Sequence, residues 1–159
     1  MMSYLTYLEN LPMLDESLVR EAIYCRDNHQ NIFRLKDHPY QLYEATDKLR
    51  EFIGSFLKFP HIVTVHSFSN TIPIHIDFGR TRAYNFIIDT GGPDVRTSFY
   101  DVNDFTRNNE GRLVESNVNY KPIESIFIRP NVWHILDVSV PHGVTNIETV
   151  RFGITVSPS

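Results

Sequence analysis

The sequence predicts a mainly β protein, a sandwich or barrel with helices packed on its outside. Two observations predict this. Beyond residue 60, short runs of β-branched and aromatic residues alternate with turn residues, as in antiparallel sheets and unlike a parallel α/β sheet. Before residue 60, apolar residues recur at helical spacing instead. The 159 residues are read as a single domain, 1–159, with 1–60 a helical N-terminal support and 61–159 the β core.

A first helix is expected from Asp15 to Asp27. Asp15 can cap it, and Leu18, Ala22 and Ile23 give it an apolar stripe. The polar run Asp27-Asn28-His29-Gln30-Asn31 ends it. A second helix is expected from about Tyr40 to Leu57, where Leu42, Ala45, Leu49, Phe52, Ile53 and Phe56 fall on one face. His38, before Pro39, reads as a surface loop residue, and Pro60 closes the helical part. Strands are then expected over 61–68, 72–78, 82–88, 97–100, 123–129, 133–140 and 149–157. Gly79, Gly91-Gly92-Pro93-Asp94, Asn108-Asn109-Glu110-Gly111, Pro130-Asn131 and Gly143 punctuate them. The polar stretch from Asn103 to Asn119 reads as a long loop, either a lid or an ordinary connection.

Composition narrows the function. The chain is 42% hydrophobic and 21% charged, a globular rather than a disordered balance. A net charge of −4 argues against affinity built on neutralising many phosphates. The single cysteine, Cys25, permits no intrachain disulfide, so a cytoplasmic setting is expected. The first residues lack the pattern of a signal peptide, and no apolar run approaches the length of a membrane span. No Gly-x-Ser-x-Gly run points to a serine nucleophile.

The chemistry concentrates in a few residues. In Ile74-His75-Ile76-Asp77-Phe78, the period of a strand puts His75 and Asp77 on one face. An imidazole and a carboxylate so placed are two of the three ligands of a 2-His-1-carboxylate triad, which suits non-heme Fe(II) with open positions. His142 lies between Pro141 and Gly143, where a strand is expected to end in a turn, and can supply the third. Nine residues on, the strand 149–157 alternates: Val150, Phe152, Ile154 and Val156 form one face, and Thr149, Arg151, Gly153 and Thr155 the other. An arginine facing inward is costly unless an anion meets it. Gly153 beside it is read as leaving space for one. Of the other histidines, His29, His38, His61 and His66 have no partner identifiable in the sequence. His134 is read as structural.

The order His75-x-Asp77, His142, Arg151 resembles the 2-oxoglutarate/Fe(II)-dependent dioxygenases, in particular their small aspartyl/asparaginyl or prolyl hydroxylase-like members. The resemblance covers roughly the last hundred residues. It implies a double-stranded β-helix, the jelly-roll or cupin-like sandwich, with His75, Asp77 and His142 binding Fe(II) and Arg151 holding the distal carboxylate of 2-oxoglutarate. The run Arg82-Ala83-Tyr84-Asn85 resembles the strand after the first ligands in the aspartyl/asparaginyl branch. This implies that Arg82, Tyr84 and Asn85 contribute to cosubstrate binding, with Arg82 near the reacting end. A stacking role for Arg82 on the face it shares with Tyr84 is the alternative. Asp77 departs from several members of that branch that lack the carboxylate ligand. The implied reaction consumes 2-oxoglutarate and O2, hydroxylates a C–H bond and releases succinate and CO2. The prime substrate is open among a free amino acid, a protein side chain, a nucleobase and a small metabolite, and so is the oligomeric state. The competing readings are a cupin-like metal-binding or structural protein without turnover and a metal-dependent isomerase or hydrolase on the same sandwich.

Overall fold

The computed structural model describes residues 3–29, 32, 39–109, 113–115 and 120–159. His38, Gln30, Asn31 and parts of the 103–119 stretch lie outside the described residues. Strand β1 (Leu5–Leu8) is followed by helix α1 (Glu16–Asn28), β2 (Gln41–Glu44) and helix α2 (Asp47–Gly54). Then come β3 (His61–Phe68), β4 (Ile72–His75), β5 (Arg82–Thr90), β6 (Arg96–Phe99), β7 (Phe105–Arg107) and β8 (Leu113–Glu115). The chain ends in β9 (Glu124–Ile126), β10 (Trp133–Asp137), β11 (His142–Thr145) and β12 (Arg151–Pro158).

The strands form a six-stranded sheet, β1-β10-β5-β12-β3-β2, and a four-stranded sheet, β4-β11-β6-β9. Neighbours in both are antiparallel. From β3 to β6 and again from β9 to β12, successive strands alternate between the two sheets, the winding of a double-stranded β-helix.

Both helices start where the sequence places an oxygen-bearing cap. Asp15 Oδ1 accepts from the Leu18 N–H at 2.9 Å, and Thr46 Oγ1 from the Leu49 N–H at 3.4 Å. The expected helix from Tyr40 is half strand. Gln41–Glu44 pairs with Thr64–Ser67 of β3, and the helix begins only after Thr46. Leu42, Ala45 and Leu49 imitate helical spacing across a strand, a cap and a helix, and sheet pairing overrides it. β1 was likewise not expected. The N-terminal sixty residues thus supply both edge strands of the large sheet as well as its helical cover. The 103–119 stretch is not structureless, for β7 and β8 pair within it.

The large sheet is buried on both faces. Val63, Val65, Tyr84, Phe86, Trp133, Phe152, Ile154 and Val156 face the helices, where Leu18, Ala22, Cys25, Leu49 and Ile53 meet them. The opposite face carries Thr64, His66, Asn85, His134, Arg151 and Thr155 toward the interior of the sandwich. The main apolar core therefore lies behind the sheet, and the space between the sheets is left for a cavity. This explains why β12, which alternates apolar and polar, is buried from Arg151 through Val156.

Gly153 serves a different end from the one its sequence position suggests. A Cβ there would lie 2.4 Å from the Phe86 carbonyl oxygen and 3.1 Å from His66 Cε1. Its missing side chain admits the β5 backbone, at a bulge in the β5–β12 register, and the His66 ring. Gly153→Ala is expected to cost about 2–3 kcal/mol or more, because the clash is with backbone. Urea melts of the two proteins measure it, and unchanged midpoints would contradict this packing.

Candidate metal centre and buried arginine

β4 ends at His75, and Asp77 follows it, tied by its N–H to the Val138 carbonyl at 3.1 Å. His142 is not in a turn. It is the first residue of β11, directly opposite His75 on β4 and Phe99 on β6. A bulge at Gly143 adjusts this pairing, and a Cβ on Gly143 would come within 2.9 Å of the Ile72 carbonyl oxygen. Sheet register thus sets the two histidines face to face, with ring centroids 4.3 Å apart.

One ligand atom from each of His75, Asp77 and His142 lies within 4.8 Å of the others. Nε2 of His75 is 3.1 Å, and Nε2 of His142 3.2 Å, from Asp77 Oδ1. The far ring nitrogens decide what this cluster can hold. Nδ1 of His75 lies 2.8 Å from the Pro73 carbonyl, and Nδ1 of His142 2.8 Å from the Val140 carbonyl. A carbonyl only accepts, so each Nδ1 carries the proton and donates. In the neutral rings both Nε2 lone pairs then point at a carboxylate oxygen. Three acceptors facing one another are relieved either by a proton on each Nε2, which makes the hydrogen bonds to Asp77, or by a metal cation in its place, and two imidazoles with one carboxylate fit Fe(II).

Asp77 is set up as a one-oxygen ligand. Its Oδ2 accepts from Arg80 Nε at 2.8 Å, leaving Oδ1 to the histidines. Arg80 is itself fixed by Nη1, which donates to Thr155 Oγ1 at 2.9 Å and Ser157 Oγ at 3.0 Å. Burial alone would raise the Asp77 pKa. The hydrogen bonds with His142 and His75 and the Arg80 charge outweigh it and hold the carboxyl well below the usual range. Burial pulls His75 down, and its bonds to Asp77 and the Pro73 carbonyl bring it above its ordinary value.

Arg151 is 4% exposed and lines the same cavity as the cluster, a space of about 680 Å³. Its Nε donates to the Thr90 carbonyl at 3.1 Å and its Nη1 to Thr97 Oγ1 at 3.4 Å, while Nη2 has no hydrogen-bond partner among the described residues. Among the described residues no carboxylate pairs with it. Burial lowers its pKa to about 10, with Tyr40 opposing, so the guanidinium stays charged at neutral pH. Asn85 lines this cavity. Arg82 and Tyr84 do not. Arg82 is exposed with its guanidinium 5.8 Å from the Tyr84 ring centre, and Tyr84 packs toward the helices. The β5 alternation sends Asn85 and Ile87, not Arg82 and Tyr84, to the cavity wall.

Four further residues face the cavity that sequence reasoning left unassigned or read as structural. Tyr40 and His66 stack with ring centroids 5.9 Å apart, and Arg80 and His134 complete the set. No spacing announces Arg80 or Tyr40, since each reaches the cavity from outside a regular strand. Burial, with the Arg151 charge adding to it, lowers His66 and His134 to a pKa of about 3. Rings held neutral in the fold but protonated when unfolded below about pH 6.5 make stability fall as the medium is acidified. At pH 5 each ring is expected to remove about 2 kcal/mol relative to neutral pH. Urea titrations of metal-free wild type and His134→Leu at pH 7 and pH 5 check this. The variant should lose less on acidification, and equal losses would contradict it.

No family model matches the sequence, and no curated protein matches it significantly. Solved structures do match. A prolyl hydroxylase from Trichoplax adhaerens, determined with a hypoxia inducible factor oxygen degradation domain peptide, aligns over 98% of this chain and 83% of its own, with a TM-score of 0.57 at 11% identity. A Pseudomonas putida prolyl-4-hydroxylase aligns over 98% and 92%, with a TM-score of 0.50 at 14% identity. The fold is the double-stranded β-helix. At these identities the likeness speaks for the architecture, and the side chains must speak for the chemistry. Among the described residues, no helix is long and apolar enough to cross a membrane.

Proposed function

We propose that this double-stranded β-helix protein is an Fe(II)- and 2-oxoglutarate-dependent oxygenase that hydroxylates a substrate C–H bond. The observation that carries the reading is the charged, buried Arg151, its Nη2 unpaired among the described residues, in the same cavity as the His75-Asp77-His142 cluster. A metal site alone would suit an inert cupin-like protein. A buried cation without a carboxylate needs a ligand that brings one. The prolyl hydroxylase-like architecture supports the same reading.

In this reading His75, Asp77 and His142 hold the metal, and Fe(II), when bound, supplies the dioxygen activation that oxidises both acid and substrate. Arg80 occupies the second Asp77 oxygen and so keeps coordination sites from being consumed by the carboxylate. Arg151 receives the distal carboxylate of 2-oxoglutarate and orients the acid along the cavity. Thr97, bonded to Arg151, fixes the guanidinium. Ile72, Ile76 and Val144, with fully exposed Phe78, line the cavity and favour an apolar portion of the prime substrate. Overall, R–H, 2-oxoglutarate and O2 give R–OH, succinate and CO2. The cavity volume falls within the range of small-molecule sites, with room for more than a five-carbon acid.

The test incubates the Fe(II)-loaded chain with 2-oxoglutarate in air and separate pools of amino acids, peptides, nucleosides and small metabolites. Succinate should form in step with a product heavier by one oxygen. A metal-loaded chain that leaves 2-oxoglutarate unconsumed with every pool would favour the cupin-like alternative.

A further inference from the structure

The inner face of the large sheet holds more unpaired polar atoms than Arg151 accounts for. The buried atoms without a hydrogen-bond partner among the described residues are His66 Nδ1, Asn85 Oδ1, both ring nitrogens of His134, and Arg151 Nη2. All belong to residues of one cavity. The Val132 backbone lies near His134 without making a hydrogen bond of normal geometry. Native interiors rarely leave such atoms unpaired, and a cluster of them points to a missing polar occupant.

Sheet register explains the cluster. His134 on β10 stands opposite Asn85 on β5, and Asn85 stands opposite Thr155 on β12. One row away, His66 on β3 stands opposite Gly153, and the glycine leaves the slot its ring occupies. Both rings lie close enough to Arg151 to feel its charge, and His66 also feels His134. His66 and His134 are 4% and 1% exposed, so bulk water does not satisfy them.

The chemistry of the occupant follows. Arg151 repels a second cation and discourages protonation of the rings beside it. Each neutral imidazole offers one N–H and one lone pair. A carboxylate has about four lone-pair positions, more than Arg151 alone can fill once its Nε and Nη1 serve Thr90 and Thr97. Resting on the oxygenase reading, we infer that His66 and His134 are cosubstrate-binding residues. Each donates a ring N–H to the distal carboxylate of the keto-diacid held by Arg151. Asn85 lines the same cavity. The consequence is selectivity: the histidines reward a second carboxylate and contribute nothing to a keto acid lacking one.

The experiment titrates 2-oxoglutarate and 2-oxobutyrate, which lacks the distal carboxylate, into the Mn(II)-loaded full chain by calorimetry. The proteins are wild type, His134→Leu and His66→Phe, the last of which keeps the ring stack on Tyr40. Each variant should bind 2-oxoglutarate about ten- to a hundredfold more weakly, as for loss of a hydrogen bond to a charged group, with 2-oxobutyrate unchanged. Equal weakening of both acids, or of neither, would overturn the assignment. If a variant does not fold, nitrogen NMR of the wild-type Zn(II)-loaded chain decides. The His66 and His134 ring signals should move with 2-oxoglutarate and not with 2-oxobutyrate, and still signals would overturn it. Failure of the oxygenase reading looks different, since the wild type would then bind neither acid.

Discussion

Arg151→Ala is expected to weaken 2-oxoglutarate binding by roughly two to four decades while leaving metal binding nearly intact. Breaking one side of a desolvated charge pair typically costs about 3–5 kcal/mol, which corresponds to that loss of affinity. The guanidinium is well placed for so large an effect. The side chain is buried, no protein carboxylate among the described residues competes, and Thr90 and Thr97 hold the group in one orientation. Arg151→Lys should fall between, retaining a point charge without the planar fork. Calorimetry of 2-oxoglutarate into the Mn(II)-loaded proteins measures this. Equal binding by wild type and Arg151→Ala would remove Arg151 as the anchor.

Loss of a triad histidine is expected to abolish stoichiometric metal binding. Changes to groups that merely support metal ligands typically cost about 10–100-fold in affinity, and removing a ligand outright should cost more. The two histidines should differ in what else they cost. The His75 side chain is 38% exposed, so His75→Ala should leave the melting temperature almost unchanged. The His142 side chain is 6% exposed and packs near Phe99, so His142→Ala also opens a cavity between β4 and β6. Metal analysis after gel filtration, beside thermal melts, separates the effects. Full metal content in both variants would end the metal-site assignment.

The residues most legible in the sequence were those whose chemistry conflicts with their pattern. His75 and Asp77 alternating with Ile74, Ile76 and Phe78, and Arg151 on a strand with four apolar neighbours, announce an interior that must meet something charged. β3 followed from the β-branched run Ile62-Val63-Thr64-Val65 just after Pro60. β2 was hidden because Leu42 and Ala45 continue a helical spacing into α2, and only pairing with β3 distinguishes them. β11 was hidden because Gly143 interrupts its four residues, and its two-sided pairing with β4 and β6 is non-local. Arg82 shows the limit of borrowing a role by motif, since one residue of parity separates a cavity wall from an exposed stack on Tyr84. His66 and His134 look ordinary in sequence. Their position beside Arg151 comes from cross-strand register, which no single strand reveals.

In the proposed function the triad and Arg151 hold a metal and a keto-diacid together. Anaerobic addition of 2-oxoglutarate to the Fe(II)-loaded chain tests it most directly, because chelation by the keto acid gives ferrous iron a visible charge-transfer absorption. This band should saturate at one equivalent of acid in wild type. It should need far higher concentrations in Arg151→Ala and be absent in His75→Ala. A wild-type chain that binds one Fe(II) yet shows no band at any concentration of 2-oxoglutarate would mean that the cavity does not hold metal and keto acid together.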